Sequence, residues 1–158
     1  MTIRFADAGD IPALVKLRFD FLAAEPEQAM PDSQKKRFRT QYLQYYEKHL
    51  NQDFYAAVAE ENSIVVSTSF LVIQEKPANV NFPTGKTGLI LNVFTYLEHR
   101  RRGYAAATLK LLIGKAKDEA LSYLELSATD AGAYVYRKLG FTEKKPGSHA
   151  EMRLSLLP

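Results

Sequence analysis

The chain has 158 residues, of which 46% are apolar or aromatic and 25% charged, a balance that suits one domain over residues 1–158 and excludes a disordered chain. Lys and Arg number 21 against 18 Asp and Glu, a net charge of +3, which permits an anionic ligand without demanding nucleic acid. There is no cysteine, so a disulfide framework, a thiolate zinc site, a Cys nucleophile and a redox motif are all excluded.

Thr2–Ala6 alternates and reads as a short strand. Asp7 and Asp10 are caps and Pro12 suits a first helical turn. Leu14, Leu17, Arg18, Phe21 and Leu22 then recur at helical spacing, which predicts an amphipathic helix over 10–24. Ala24–Asp32 reads as a loop, with two prolines and the acids Glu25, Glu27 and Asp32. Ser33 caps a second helix running to about Leu50. Phe54–Ala59 and Ile64–Ile73 are strand-like, and the turn at Glu60–Ser63 predicts a hairpin.

Ile64–Ile73 is also the most apolar stretch. Ser67, Thr68 and Ser69 break it, and it falls far short of the ~20 apolar residues of a membrane span. Near the N-terminus, Arg4, Asp7 and Asp10 stand without the apolar run of a signal peptide. The expectation is a cytoplasmic protein with no membrane partner.

Gln74–Gly85 is a loop with Pro77 and Pro83, and Thr87–Tyr96 the next strand. Arg102–Leu121 is a helix with Ala106, Leu109, Leu112, Ile113 and Ala116 on its apolar face. Tyr123–Ser127 is a strand, and Asp130–Leu139 a short helix ended by Gly140. Phe141–Lys144 and Glu151–Leu156 complete the pattern as two more strands. The order is β-α-α-β-β-β-α-β-α-β-β, with a β-α-β unit over Thr87–Ser127 at its centre.

Chemistry concentrates in Leu89–Ala107, where an apolar strand runs through a turn with Arg100, Arg101 and Arg102 into a helix opened by Gly103 and small residues. A helix start presents free N–H groups and a positive dipole end. Gly103 permits close backbone approach, and arginines suit phosphate groups. The stretch is a candidate anion site; the alternative is a solvated basic turn.

Arg100-x-x-Gly103-x-Ala105 after an apolar strand resembles the cofactor motif of the GCN5-related N-acetyltransferases, Gln/Arg-x-x-Gly-x-Gly/Ala. Downstream, Tyr136-Arg137-Lys138-Leu139-Gly140-Phe141 is similar to the family's Tyr-x-Lys-Leu-Gly-Phe segment. The order of elements matches over nearly the whole chain. The resemblance implies an α/β fold with a mixed, largely antiparallel sheet of about seven strands and four flanking helices. It implies acetyl-CoA as cosubstrate, with the pyrophosphate on the backbone of Arg101, Arg102, Gly103, Tyr104, Ala105 and Ala106. The pantetheine arm would run along Val93, Phe94 and Thr95. The Val93 N–H would hold the thioester oxygen, as oxyanion stabilisation requires, and Tyr136 would protonate the departing thiolate. Tyr134 is the competitor; two positions apart on a helix, only one ring can face the thioester.

The sequence departs from the family pattern in places. Thr129 stands where many members have an Asn that meets the pantetheine arm, and a helix cap suits it better. Asn92 lies where many place a glutamate base, and an amide cannot take a proton. A carboxylate of the Glu25–Asp32 loop, or a water chain, is left as base. That loop, with Glu25 and Glu27, borders the acceptor site by resemblance and would attract a cationic amine; the alternative is a solvated loop between two helices. His49, His99 and His149 lack metal-ligand spacing, so no metal is expected. Gly85-Lys86-Thr87 precedes a strand instead of opening a helix, against a phosphate-binding loop, and Lys35, Lys36, Arg37 and Arg39 read as a solvated helix face.

The expected activity is acetyl transfer from acetyl-CoA to a small-molecule or peptide amine by direct attack, in a monomer or homodimer without nucleic acid. A non-catalytic CoA-binding or protein-interaction domain on the same scaffold is the alternative, and a nucleic-acid-binding module a third.

Overall fold

A computed structural model describes residues 1–158. Its regular elements are β1 (Thr2–Phe5), α1 (Ile11–Ala23), α2 (Asp32–His49), β2 (Phe54–Glu61), β3 (Ile64–Glu75), β4 (Lys86–Thr95), α3 (Tyr104–Asp118), β5 (Leu124–Glu125) and α4 (Asp130–Lys138). The strands form one sheet in the order β1-β2-β3-β4-β5. The first four pair antiparallel, and β5 runs parallel to β4 after the α3 crossover. This is the mixed, largely antiparallel sheet with four helices that the sequence leads one to expect.

Period-2 alternation in the central strands builds two cores. Phe54, Ala56, Val58 and Phe70 face α1 and α2, where Leu14, Val15, Leu22, Tyr42 and Tyr46 cover them. Tyr55, Ala57, Leu71 and Ile90 face α3, whose Leu109 and Leu112 are fully buried. Each such large apolar side chain contributes roughly 1.5–3 kcal/mol. Ser69, on β3, is buried between these layers; its hydroxyl shares a 2.8 Å hydrogen bond with Thr108 of α3.

The start of α1 is tied to the sheet by charge. Arg4 on β1 bonds Asp10 at 2.7 and 2.9 Å and Glu60 on β2 at 2.8 Å. Asp7 caps the short turn Ala8–Asp10, and Asp10 completes a capping box instead of capping α1 with its own side chain. Pro31, not Ser33, precedes the first residue of α2.

Three elements depart from expectation at the C-terminal end. β5 covers only Leu124–Glu125 of the expected Tyr123–Ser127. Phe141–Lys144 and Glu151–Leu156 form no strand, so the sheet has five strands instead of about seven. Met152, Leu154 and Leu156 alternate as a half-buried strand would, yet all three are exposed. Alternation supplies a face to bury, but a strand also needs a pairing edge, and a two-residue β5 presents a very short one.

Candidate active site

Strand β4 carries the irregularity on which the site is built. Phe70 of β3 pairs with Leu91 and Thr68 with Phe94, so Asn92 and Val93 together oppose Ser69. This is a β-bulge, with Asn92 at φ 52°. On its other edge β4 pairs with β5 only at Gly88 and Leu89. Beyond that point the parallel strands splay, and Val93 has a register partner on neither side. Gly88 lets the strands meet closely: a Cβ there would fall 2.4 Å from Leu124 and 2.7 Å from Leu71.

Two clefts open from the splay. One, about 480 Å³, runs along Val93, Phe94 and Thr95 to the turn Arg100–Arg101 and the first residues of α3. The other, about 430 Å³, runs between α1 and the edge of β4, past Arg18, Gln28 and Asn92. They share Phe21, Glu25, Val93, Thr129 and Tyr136. A hollow of about 620 Å³ lies elsewhere, lined by Leu121, Tyr123, Leu124 and Phe141 at the open edge of β5. We place the site at the junction, because only there do free donors and titratable groups converge.

The first cleft fits a long anionic cosubstrate. Gly103 caps α3 at φ 82° with no side-chain cap bond, and a Cβ built on it meets nothing within 4 Å. The first bond of α3 runs from Ala107 N–H to the Gly103 carbonyl. The amides of Gly103, Tyr104, Ala105 and Ala106 therefore have no acceptor in the protein. Free amides on an open, positive helix end are what a pyrophosphate requires.

The comparisons with known proteins agree. The model of the acetyltransferase (GNAT) family matches residues 17–141. The chain belongs to this family. Among solved structures, a predicted acetyltransferase from Clostridium acetobutylicum with acetyl-CoA is 27% identical, with a TM-score of 0.81 over 96% of this chain and 95% of that one. A GCN5-related N-acetyltransferase from Ralstonia eutropha JMP134 is 20% identical, with a TM-score of 0.75 over 97% of each chain. The ribosomal-protein-alanine N-acetyltransferase of Brucella melitensis biovar Abortus 2308 is 18% identical, with a TM-score of 0.67 over 96% of this chain and 100% of that one. The latter two likenesses show the GNAT fold. No curated protein matches the sequence. The chemistry of this GNAT chain is acetyl transfer, and acetyl-CoA is its cosubstrate.

The three arginines of the GNAT motif part company in the structure. Arg100 donates from Nε to the Thr95 carbonyl at 3.0 Å, closing the turn. Arg101 lines the first cleft, exposed and at φ 61°, with no protein partner. Arg102 is outside the lining; Glu61 at 3.2 Å and the Glu98 carbonyl hold it. His99 also bonds Glu61, at 2.7 Å. That bond, ahead of Arg102's charge, lowers the Glu61 carboxyl below its usual range.

On α4, Tyr136 lines both clefts, whereas Tyr134 is 65% exposed beneath Lys138. The Tyr136 ring lies over Gly132, where a Cβ would come within 2.9 Å of it. Burial raises the phenol above its ordinary pKa, so it keeps its proton. Thr129 caps α4 through the Gly132 N–H at 3.2 Å. Glu25 reaches the junction, while Glu27 lines neither cleft.

Residues that motif reading did not assign are Arg18, Phe21 and Gly132. Arg18 carried a signal, as the one charge in the apolar series of the first helix. Gly132 lies i−4 to Tyr136, the spacing at which a ring meets the preceding turn.

Proposed function

We propose that the chain, as one domain over residues 1–158, transfers the acetyl group of acetyl-CoA to a primary amine by direct attack at the junction. The observation that carries this reading is the meeting of the two clefts at Val93, Tyr136 and Glu25. Acetyl-CoA supplies the acetyl group as a thioester, whose C–S bond breaks as the bond to nitrogen forms.

The residues divide the work. The amides of Gly103 to Ala106, with Arg101, hold the pyrophosphate. The N–H of Val93, a residue with no register partner on either side, donates to the thioester oxygen and stabilises the charge that gathers on it. Tyr136 gives its hydroxyl proton to the leaving sulfur and is reprotonated from solvent. Its hydroxyl makes no hydrogen bond within the protein, and its raised pKa keeps that proton in place near neutral pH. Glu25 draws the ammonium form of the acceptor to the junction, and the proton that nitrogen must lose passes to water there. Asn92 has no basic atom for that step.

The test is thiol release from acetyl-CoA across a panel of amines. Amine-dependent release is the expected result. Binding of acetyl-CoA with no release from any amine would leave a CoA-binding domain without catalysis.

A further inference from the structure

The acceptor cleft contains two donors without a recipient. Asn92 is 3% exposed, and its Nδ2 is the one buried side-chain nitrogen or oxygen without a hydrogen-bond partner. Its Oδ1 accepts from Arg18 Nη1 at 3.2 Å. The residue also stands at positive φ in the bulge. An orphaned donor and an uncommon backbone conformation on one residue in a cleft wall mark a functional position.

Arg18 is half-buried, yet no carboxylate lies within salt-bridge reach of it, and its one side-chain hydrogen bond is to the neutral Asn92 amide. Arg4, also part-buried, is by contrast held by both Asp10 and Glu60. The Arg18 guanidinium lies 5.8 Å from the Phe21 ring centre, which steadies it without neutralising it. A guanidinium has five N–H donors, so a planar fork is left open toward the cleft. An aspartate at position 92 would pair with Arg18 and close the fork; an asparagine leaves the cation open and adds an N–H beside it.

Charge also has an order in this cleft. Glu25 borders both clefts, where the reacting nitrogen must stand, whereas Arg18 and Asn92 line the acceptor cleft alone. The lining shared by the two clefts thus carries a carboxylate, and the lining of the acceptor cleft alone a cation with an amide donor. A polyamine would set a second cation against Arg18. A molecule with an ammonium at one end and an oxyanion at the other is complementary at both.

We infer that the acceptor is an amine carrying an oxyanion, a carboxylate or a phosphate, bound by the Arg18 guanidinium and the Asn92 amide. This rests on the acetyl-transfer reading for its chemistry, but not for its binding. The two donors fix the oxyanion and thereby present the nitrogen to Glu25 and the thioester. Arg18 and Asn92 are specificity residues; neither touches the reacting atoms.

Matched pairs of amines test it: glycine, β-alanine and 4-aminobutyrate against their amides, and phosphoethanolamine against ethanolamine. Each is measured by thiol release and, independently of turnover, by the melting temperature of the CoA-loaded protein. At least one oxyanion member is expected to exceed its neutral partner in kcat/KM by roughly tenfold or more, the scale of a hydrogen bond to a charged group. The pair that responds identifies the oxyanion. R18Q should bring the ratio to within about twofold by raising KM while CoA affinity holds, the mark of lost uniform binding. N92D should do the same by pairing with Arg18, and Asn92→Gly, which suits the positive φ, keeps the fold in a third variant. Equal use of both members in every pair, or an unchanged ratio in folded R18Q and N92D, overturns the inference. If no amine releases thiol, an oxyanion-dependent rise in melting temperature that R18Q abolishes still supports it and tells only against acetyl transfer. Absence of that rise overturns the inference.

Discussion

The two clefts that meet at Tyr136 are made of different material. The cleft proposed for the cosubstrate is made of backbone: its donors are the amides that open α3 and, in this proposal, the N–H of Val93, a residue without a register partner. Its side chains matter chiefly by being small, as at Gly103, Ala105 and Ala106. The acceptor cleft is made of side chains on α1, the following loop and the bulge: Arg18, Glu25, Gln28 and Asn92. A backbone site serves one invariant ligand and tolerates many sequences. A side-chain site sets its ligand by charge and shape, and changes with single substitutions.

The sharpest way to break this contrast is at the junction, where both clefts end. Tyr136→Phe is expected to lower kcat by about 10²-fold, the low end of general acid catalysis because a thiol leaves readily. CoA affinity should hold, and Tyr134→Phe should stay within about twofold of wild type. Steady-state kinetics decide this, and a Tyr136→Phe enzyme of full activity removes the residue from the chemistry.

The next effect falls on the backbone cleft. Gly103→Val places a branched side chain at φ 82° in open space where the phosphates must approach. CoA affinity should fall by about tenfold or more, read by calorimetry, while acceptor selectivity in the residual activity stays unchanged. An unaltered CoA affinity in the folded variant would show that the site does not depend on the backbone there.

Smaller effects are expected in the side-chain cleft. Glu25→Gln should raise the acceptor KM several-fold, about the value of a partly exposed charge pair, and Glu27→Gln should not, because only Glu25 reaches the junction. The wild-type KM should rise with salt as these charges are screened. Equal responses from the two variants would mean that the loop acts only through its net charge.

The smallest is an effect of pH. Burial raises the Tyr136 pKa above the ordinary tyrosine value, so folded Tyr136 stays protonated as pH climbs toward 10. The kcat profile of wild type should show no falling limb from this group below about pH 9.5. A limb near pH 8 that disappears in Tyr136→Phe would contradict both the burial and the role.

The same division of material explains what could be read in advance. Gly103 and the small residues after it mark the helix start, and Tyr136-x-Lys138-Leu139-Gly140-Phe141 marks α4, because backbone approach and helix ends restrict which residues fit. The helices, the first four strands and the parallel crossover follow from periodicities that burial imposes locally. Arg18 and Asn92 obey no such local rule. One lies in a helical apolar series and the other in a strand-like run, 74 positions apart along the chain. Nor does sequence alone separate Glu25 from Glu27, or Arg101 from Arg102, since neighbours of equal charge differ only in what faces them.

By itself, then, the sequence determined the layered α/β architecture, the helix start at Gly103 and the place of the tyrosine on α4, all properties of short segments. Tertiary structure alone decided that α1 brings Arg18 to the β4 bulge and that Glu61 takes Arg102 away from the cosubstrate cleft. It also decided that the alternating tail, Met152 to Leu156, is left without a strand to join. Each of these outcomes depends on a partner from a distant segment, and a hydrogen bond or a β-ladder exists only once both sides are in place.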